Sequence, residues 1–77
     1  MITLDGSRGE GGGQIVRTAV TLSCIIGTPV RIENIRAGRS PAGLRAQHVA
    51  AVQAAASICN AEMDGVEVRS ETITFTP

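Results

Sequence analysis

The 77-residue sequence has no tryptophan, no tyrosine and a single phenylalanine, Phe75. Its core must therefore be aliphatic, and a chain of this length can bury only a modest one in a single small domain. A core that thin calls for support from a metal, a disulfide or a partner chain. Long apolar runs are missing as well: no stretch approaches the ~20 residues of a membrane span. Asp5, Arg8 and Glu10 interrupt the N-terminal segment where a secretory signal would need an unbroken apolar run. A cytoplasmic setting is expected. Cysteine is scarce, and Cys24 and Cys59 lack metal-ligand spacing. They are read as buried free thiols rather than as a disulfide.

Lysine is absent too, so every basic residue is an arginine. The zero net charge hides an asymmetry. Residues 8–45 hold Arg8, Arg17, Arg31, Arg36, Arg39 and Arg45 against Glu10 and Glu33, whereas residues 62–77 hold Glu62, Asp64, Glu67 and Glu71 against Arg69. Guanidinium groups bind phosphate oxygens in pairs and stay charged when half-buried, which suits a phosphate site. A compositional bias toward arginine accounts for the same count.

Ile2 and Leu4 flanking Thr3 predict a short strand over residues 1–4, ended by Asp5-Gly6. Residues 6–13 read as a loop and residues 14–26 as a helix, closed by Gly27 and Pro29. A second strand is expected over 30–35, with Val30 and Ile32 on one face and Arg31 and Glu33 on the other. Residues 36–43 form a Gly/Pro-punctuated loop. The alanine-rich run 42–60 is the strongest helical signal. Residues 66–68 and 72–75 alternate as two further strands joined by a turn near Ser70. The order β-α-β-α-β-β predicts an α+β unit, a four-stranded sheet with two helices on one face.

At 100° per residue, Ile15, Ala19, Leu22 and Ile26 share one side of the first helix, while Val16, Val20, Cys24 and Ile25 cover much of the rest. A helix apolar nearly all round is buried all round, and one sheet covers only one side. Either the outer side packs on further copies of the unit or on other domains, or the domain has a greasy surface.

Chemistry concentrates in two loops. In GEGGGQ, Gly9, Gly11, Gly12 and Gly13 lead into a helix start at Gln14. Free amides and the positive dipole end there attract anions, and glycine lets the backbone approach a phosphate. No Gly-Lys-Ser/Thr follows, so this is not a P-loop, and the glycine spacing does not match a dinucleotide fingerprint. A plain flexible turn fits the same residues. Glu10 would repel a phosphate unless a divalent cation lay between them; otherwise it is a solvated acid or a partner for Arg8 or Arg17. Arg17, one turn into the helix, can reach the same place. The second loop carries Arg36 and Arg39 after a strand end. Both loops are expected to leave the same edge of the sheet, so they can line one cleft. His48 falls between Leu44 and Val52 on the apolar face of the second helix, where the pattern alone favours a core-edge role. Gln47 projects about 100° away from it.

Together LDGSRGEGGGQIVRTAVTLS, IRAGR, GLRAQHVAAV and AEMDGVEVRSETITFTP resemble the N-terminal segment of RNA 3′-terminal phosphate cyclases across essentially the whole chain. The resemblance implies conversion of an RNA 3′-phosphate end to a 2′,3′-cyclic phosphodiester, with ATP and a divalent cation, Mg or Mn. In that family a histidine is adenylylated, AMP moves to the RNA 3′-phosphate, and the vicinal 2′-OH attacks to release AMP. It also implies repeats of a βαβαββ unit similar to those of enolpyruvate transferases. Carried over by position, Glu10 is the metal-associated carboxylate. Arg17, Arg36, Arg39, Gln47 and His48 are the ATP-, phosphate- or RNA-binding residues, beside Gly11, Gly12, Gly13 and Gln14.

Two departures stand out. The proline of the second loop lies one position early, in Ser40-Pro41-Ala42-Gly43-Leu44, which bears on how Arg39 is presented. The only histidine, His48, aligns with the Gln-His motif and not with the adenylylated nucleophile, expected C-terminal to Pro77. The chain is thus expected to be one repeat without adenylylating activity of its own. The alternatives are a non-catalytic RNA-binding relative, disfavoured by the intact GEGGGQ, and a self-assembling βαβαββ module without chemistry. No base-stacking aromatic marks an RNA sequence preference.

Overall fold

The computed structural model describes residues 1–7 and 12–77. Six elements follow in order: β1 (Ile2–Asp5), α1 (Gly12–Ile26), β2 (Val30–Glu33), α2 (Ala46–Cys59), β3 (Glu62–Asp64) and β4 (Ile73–Thr76). The strands form one mixed sheet in the order β1-β2-β4-β3. β1 and β2 are parallel, with Asp5 opposite Glu33, and β4 runs antiparallel to both β2 and β3. This is the expected α+β unit.

The core forms where the two central strands meet the helices. Period-two alternation turns Val30 and Ile32 of β2 inward, opposite Phe75 and Ile73 of β4. Val16, Ala19 and Val20 of α1 and Val52 and Ala56 of α2 close over them in one cluster. Phe75, the lone aromatic, is fully buried at its centre. The outer strands β1 and β3 are exposed along their length.

The expected boundaries shift at every element, most of them by one or two residues. α1 starts at Gly12, two residues before Gln14, and β4 lies one residue later than expected. β2 ends at Glu33 because Asn34 and Arg36 adopt left-handed backbone (φ 55° and 51°) that a strand cannot continue through. α2 starts at Ala46 and not near Ala42. Pro41 and Gly43 (φ 83°) break the helical path, and Leu44 is held by Ser70 O (2.9 Å) and Arg69 N (2.6 Å). The third strand is not 66–68 but Glu62–Asp64. The backbone of residues 65–70 is spent on turns, Glu67 N to Gly65 O and Ser70 N to Glu67 O, and on the bonds to Leu44. The alternation of Val66 and Val68 is real in the sequence, but only Val66 packs against the core.

The buried stripe of α1 is Val16, Ala19, Val20 and Ser23, the i, i+3, i+4, i+7 pattern of a helix with one covered face. Ser23 satisfies its hydroxyl on Thr28 O. Leu22, Ile25 and Ile26 stay exposed at 51%, 73% and 59%. The apolar outer side anticipated for this helix is therefore present and uncovered by the sheet. No helix among the described residues is long and apolar enough to cross a membrane.

Candidate functional site

Because β1 and β2 are parallel neighbours, the segments that follow them leave from one edge of the sheet. Gly6 joins the two. Its N–H donates to Glu33 O at 2.6 Å, and its carbonyl accepts from Arg36 N at 3.4 Å. Gly6 is buried, and a Cβ there would lie 3.0 Å from the Ile35 backbone, so only glycine lets the chains approach this closely. Asp5 Oδ1 holds the next residue through Ser7 N (2.9 Å) and Ser7 Oγ (2.6 Å).

The arginine loop is clamped from both sides. Ile35 N donates to Glu71 O (2.9 Å) and Gly43 N to Ile35 O (3.0 Å), while Leu44 is pinned by Arg69 and Ser70. Within it, Ala37 N bonds Asn34 O and Arg39 N bonds Arg36 O, giving two successive tight turns. Arg36, in left-handed backbone and half-buried, sits at the hinge of these turns. A bulky residue in this conformation costs about 1–2 kcal/mol. Such strain persists where surrounding structure dictates it, and it clusters at ligand-binding positions.

His48 is the centre of the site. It is 8% exposed, on the stripe His48, Val52, Ala56 that α2 buries. Its Nδ1 accepts from Arg45 N at 3.0 Å, closing the first turn of α2. Burial first, then the positive charges of Arg36, Arg17 and Arg45, hold its pKa below the ordinary 6.5. The imidazole is therefore neutral at pH 7. The charges of Arg17 on α1 and of Arg36 in the loop both act on His48. The structure adds Arg45, which the motifs did not single out; its place three residues before His48, at a helix start, is the signal that identifies it.

The remaining candidates that the structure describes lie on α1, on α2 and in the loop between β2 and α2. Gln14 and Arg17 line a shallow pocket of ≈ 380 Å³ with Thr18, Thr21 and Leu22. A second pocket, ≈ 140 Å³, runs between the helices from Arg17 and Val20 to Val52 and Ala55. Gly12 and Gly13 are the first two residues of α1, where backbone N–H groups have no intrahelical partner. Gln47 is exposed on the first turn of α2 and Arg39 is exposed in the second turn of the loop. Glu10 and Gly11 lie outside the described residues. The donor set is uniform in kind: three guanidiniums and one imidazole N–H, which suits an anionic oxygen-rich group such as a phosphate.

Residues 8–77 match the family model of RNA 3′-terminal phosphate cyclase. Curated relatives carrying that name include a protein of Caldivirga maquilingensis, 61% identical over 77 residues. One of Ralstonia nicotianae is 59% identical over 76 residues, and one of Archaeoglobus fulgidus is 57% identical over 77. These alignments cover 99–100% of this chain but only 22–24% of each relative, in their N-terminal part. The chain belongs to the RNA 3′-terminal phosphate cyclase family.

Proposed function

We propose that this chain forms the phosphate-gripping part of an ATP-dependent enzyme that cyclises RNA 3′-phosphate ends. The observation that carries the reading is the buried His48, held through Nδ1 by Arg45 N at the start of α2, with its pKa lowered by burial and then by the positive charges of Arg36, Arg17 and Arg45. With Nδ1 occupied by Arg45 N, the remaining Nε2–H is a donor. A phosphate bound there meets the positive charges of the three arginines and one neutral donor. Arg39 and Gln47 flank the cluster and reach for the nucleotide or RNA beyond the phosphate, with Gln14 and the amides of Gly11, Gly12 and Gly13 completing the anion site.

Glu10 would hold the divalent cation, magnesium or manganese, whose charge would offset that of the phosphate. ATP is the nucleotide, and AMP transfer belongs to a histidine C-terminal to Pro77. His48 is spoken for by its contact to Arg45 and is not that nucleophile.

The test is ATP and inorganic phosphate binding by calorimetry. Arg36→Ala and Arg39→Ala each weaken it at least ~5-fold, as loss of a charge-assisted contact requires. Unchanged affinity in both contradicts the assignment of this loop. Incubation of the chain with ATP and magnesium leaves no covalent AMP on it; an acid-labile adduct contradicts the separation of roles.

A second role rests on Leu22, Ile25 and Ile26 of α1, which with Ile2 and Leu4 of β1 leave an apolar surface at one edge of the unit. It is covered by the remaining domains of a longer enzyme or by further copies of this chain. A monodisperse monomer in sedimentation at micromolar concentration removes the further copies and leaves the remaining domains as the cover.

A further inference from the structure

Cys24 and Cys59 are 35 residues apart in sequence, on different helices, yet their Sγ atoms lie 2.7 Å apart. Both also converge on one acceptor: Ala55 O receives Cys59 Sγ at 3.3 Å and Cys24 Sγ at 3.8 Å. The topology explains the meeting. α1 and α2 each follow one of two parallel strands, so they run in the same direction and their C-terminal ends come together. Both cysteines are free and only half-buried, which leaves them open to small reagents. Nothing in the phosphate site uses them, since Arg17 and His48 sit toward the opposite ends of the same two helices.

We propose that Cys24 and Cys59 are a reversible thiol–disulfide pair that staples α1 to α2, oxidised by a low-molecular-weight disulfide. One protein thiolate attacks the small disulfide, forming a mixed disulfide and releasing one small thiol. The second protein thiol, as thiolate, then displaces the other small thiol. Two protein thiols and one small disulfide thus give one protein disulfide and two small thiols. Burial, then the contact with Cys59, pushes the Cys24 thiol up to about 11, so Cys24 is protonated at neutral pH and exchange is faster in alkaline buffer. The closed staple fixes the helix that carries Arg17 against the helix that carries His48.

The test is incubation of the folded chain with oxidised glutathione at mildly alkaline pH, then tryptic mass mapping. A disulfide joins peptide 18–31 to peptide 46–69, the protein loses two hydrogens, and dithiothreitol reverses both changes. Closure in the folded chain outruns closure in concentrated urea by about 10-fold or more, because the native contact holds the second thiol beside the first. The oxidised form melts on the order of 10 °C higher than the reduced form. Mixed disulfides with glutathione at either cysteine without the cross-link, thiols that stay reduced, or closure no faster than in urea would each overturn the proposal.

Discussion

The main-chain N–H of Arg45 donates to Nδ1 of His48 over 3.0 Å, so the neutral ring carries its proton on Nε2. Burial, then the positive charges of Arg36, Arg17 and Arg45, holds its folded pKa below 6.5. Long-range nitrogen–proton spectra are expected to show the Nε2–H tautomer and a titration below that of a free histidine. An Nδ1–H tautomer, or a pKa at or above 6.5, contradicts the arrangement.

The same shift links stability to pH. A histidine whose folded pKa is depressed contributes stability that is fully present above pH 6.5, where both states are neutral. It is lost as pH falls through the folded value, because the unfolded chain takes up the proton first. Thermal midpoints should therefore drop on acidification below pH 6.5. His48→Gln keeps an acceptor for Arg45 N and abolishes this component of the slope. Identical slopes in the two proteins would remove His48 as the cause.

Burial is the larger cause of the depressed His48 pKa, and an anion bound beside it offsets the share that comes from the arginine charges. Binding of inorganic phosphate is then expected to raise the His48 pKa, and by linkage phosphate binds more tightly as pH falls through the His48 transition. The measurement is His48 ring chemical shift against pH, with and without phosphate. A pKa unmoved by saturating phosphate places the anion elsewhere.

Arg36 has φ 51°. Arg36→Gly relieves this conformation by about 1 kcal/mol, so denaturant midpoints hold steady or rise, while phosphate affinity falls. A variant that is destabilised yet binds normally would show that Arg36 serves folding and not the ligand.

Gly43 has φ 83°, and a Cβ there would run into the Arg69 carbonyl and lie 2.8 Å from Ser70 O. Backbone atoms held by Leu44 cannot yield cheaply. Gly43→Ala should cost about 3 kcal/mol, a large share of the stability of so small a domain, and equilibrium urea unfolding reads it directly. A cost below ~1 kcal/mol would mean that residues 69–70 do not clamp the arginine loop.

Much of this fold was legible in the sequence because its cues are local. Alternation found Val30 and Ile32, the alanine run found the body of α2, and the His48–Val52 spacing placed the histidine on the buried face. What escaped depends on contacts distant in sequence. Glu62–Asp64 becomes a strand by pairing with residues 74–76 of β4, although it is exposed throughout and two of its three residues are acidic and poor strand formers. The loop between Glu33 and Ala46 stays non-helical because Ser70 and Glu71 supply its backbone partners. At the site, the motifs pointed to Arg17, Arg36 and His48. Arg45 was found through its charge on His48 and its N–H on Nδ1, although its place three residues before His48 was there to be read.

The central claim is that the arginine cluster grips a terminal phosphate. The most direct measurement titrates the chain with two short RNAs identical except for a 3′-phosphate or a 3′-hydroxyl end, following backbone and arginine side-chain NMR signals. The account predicts that the phosphate-ended RNA alone shifts Arg17, Arg36 and His48, and that Arg36→Ala removes the preference. Equal binding of both RNAs, or a preference that survives in Arg36→Ala, would contradict it.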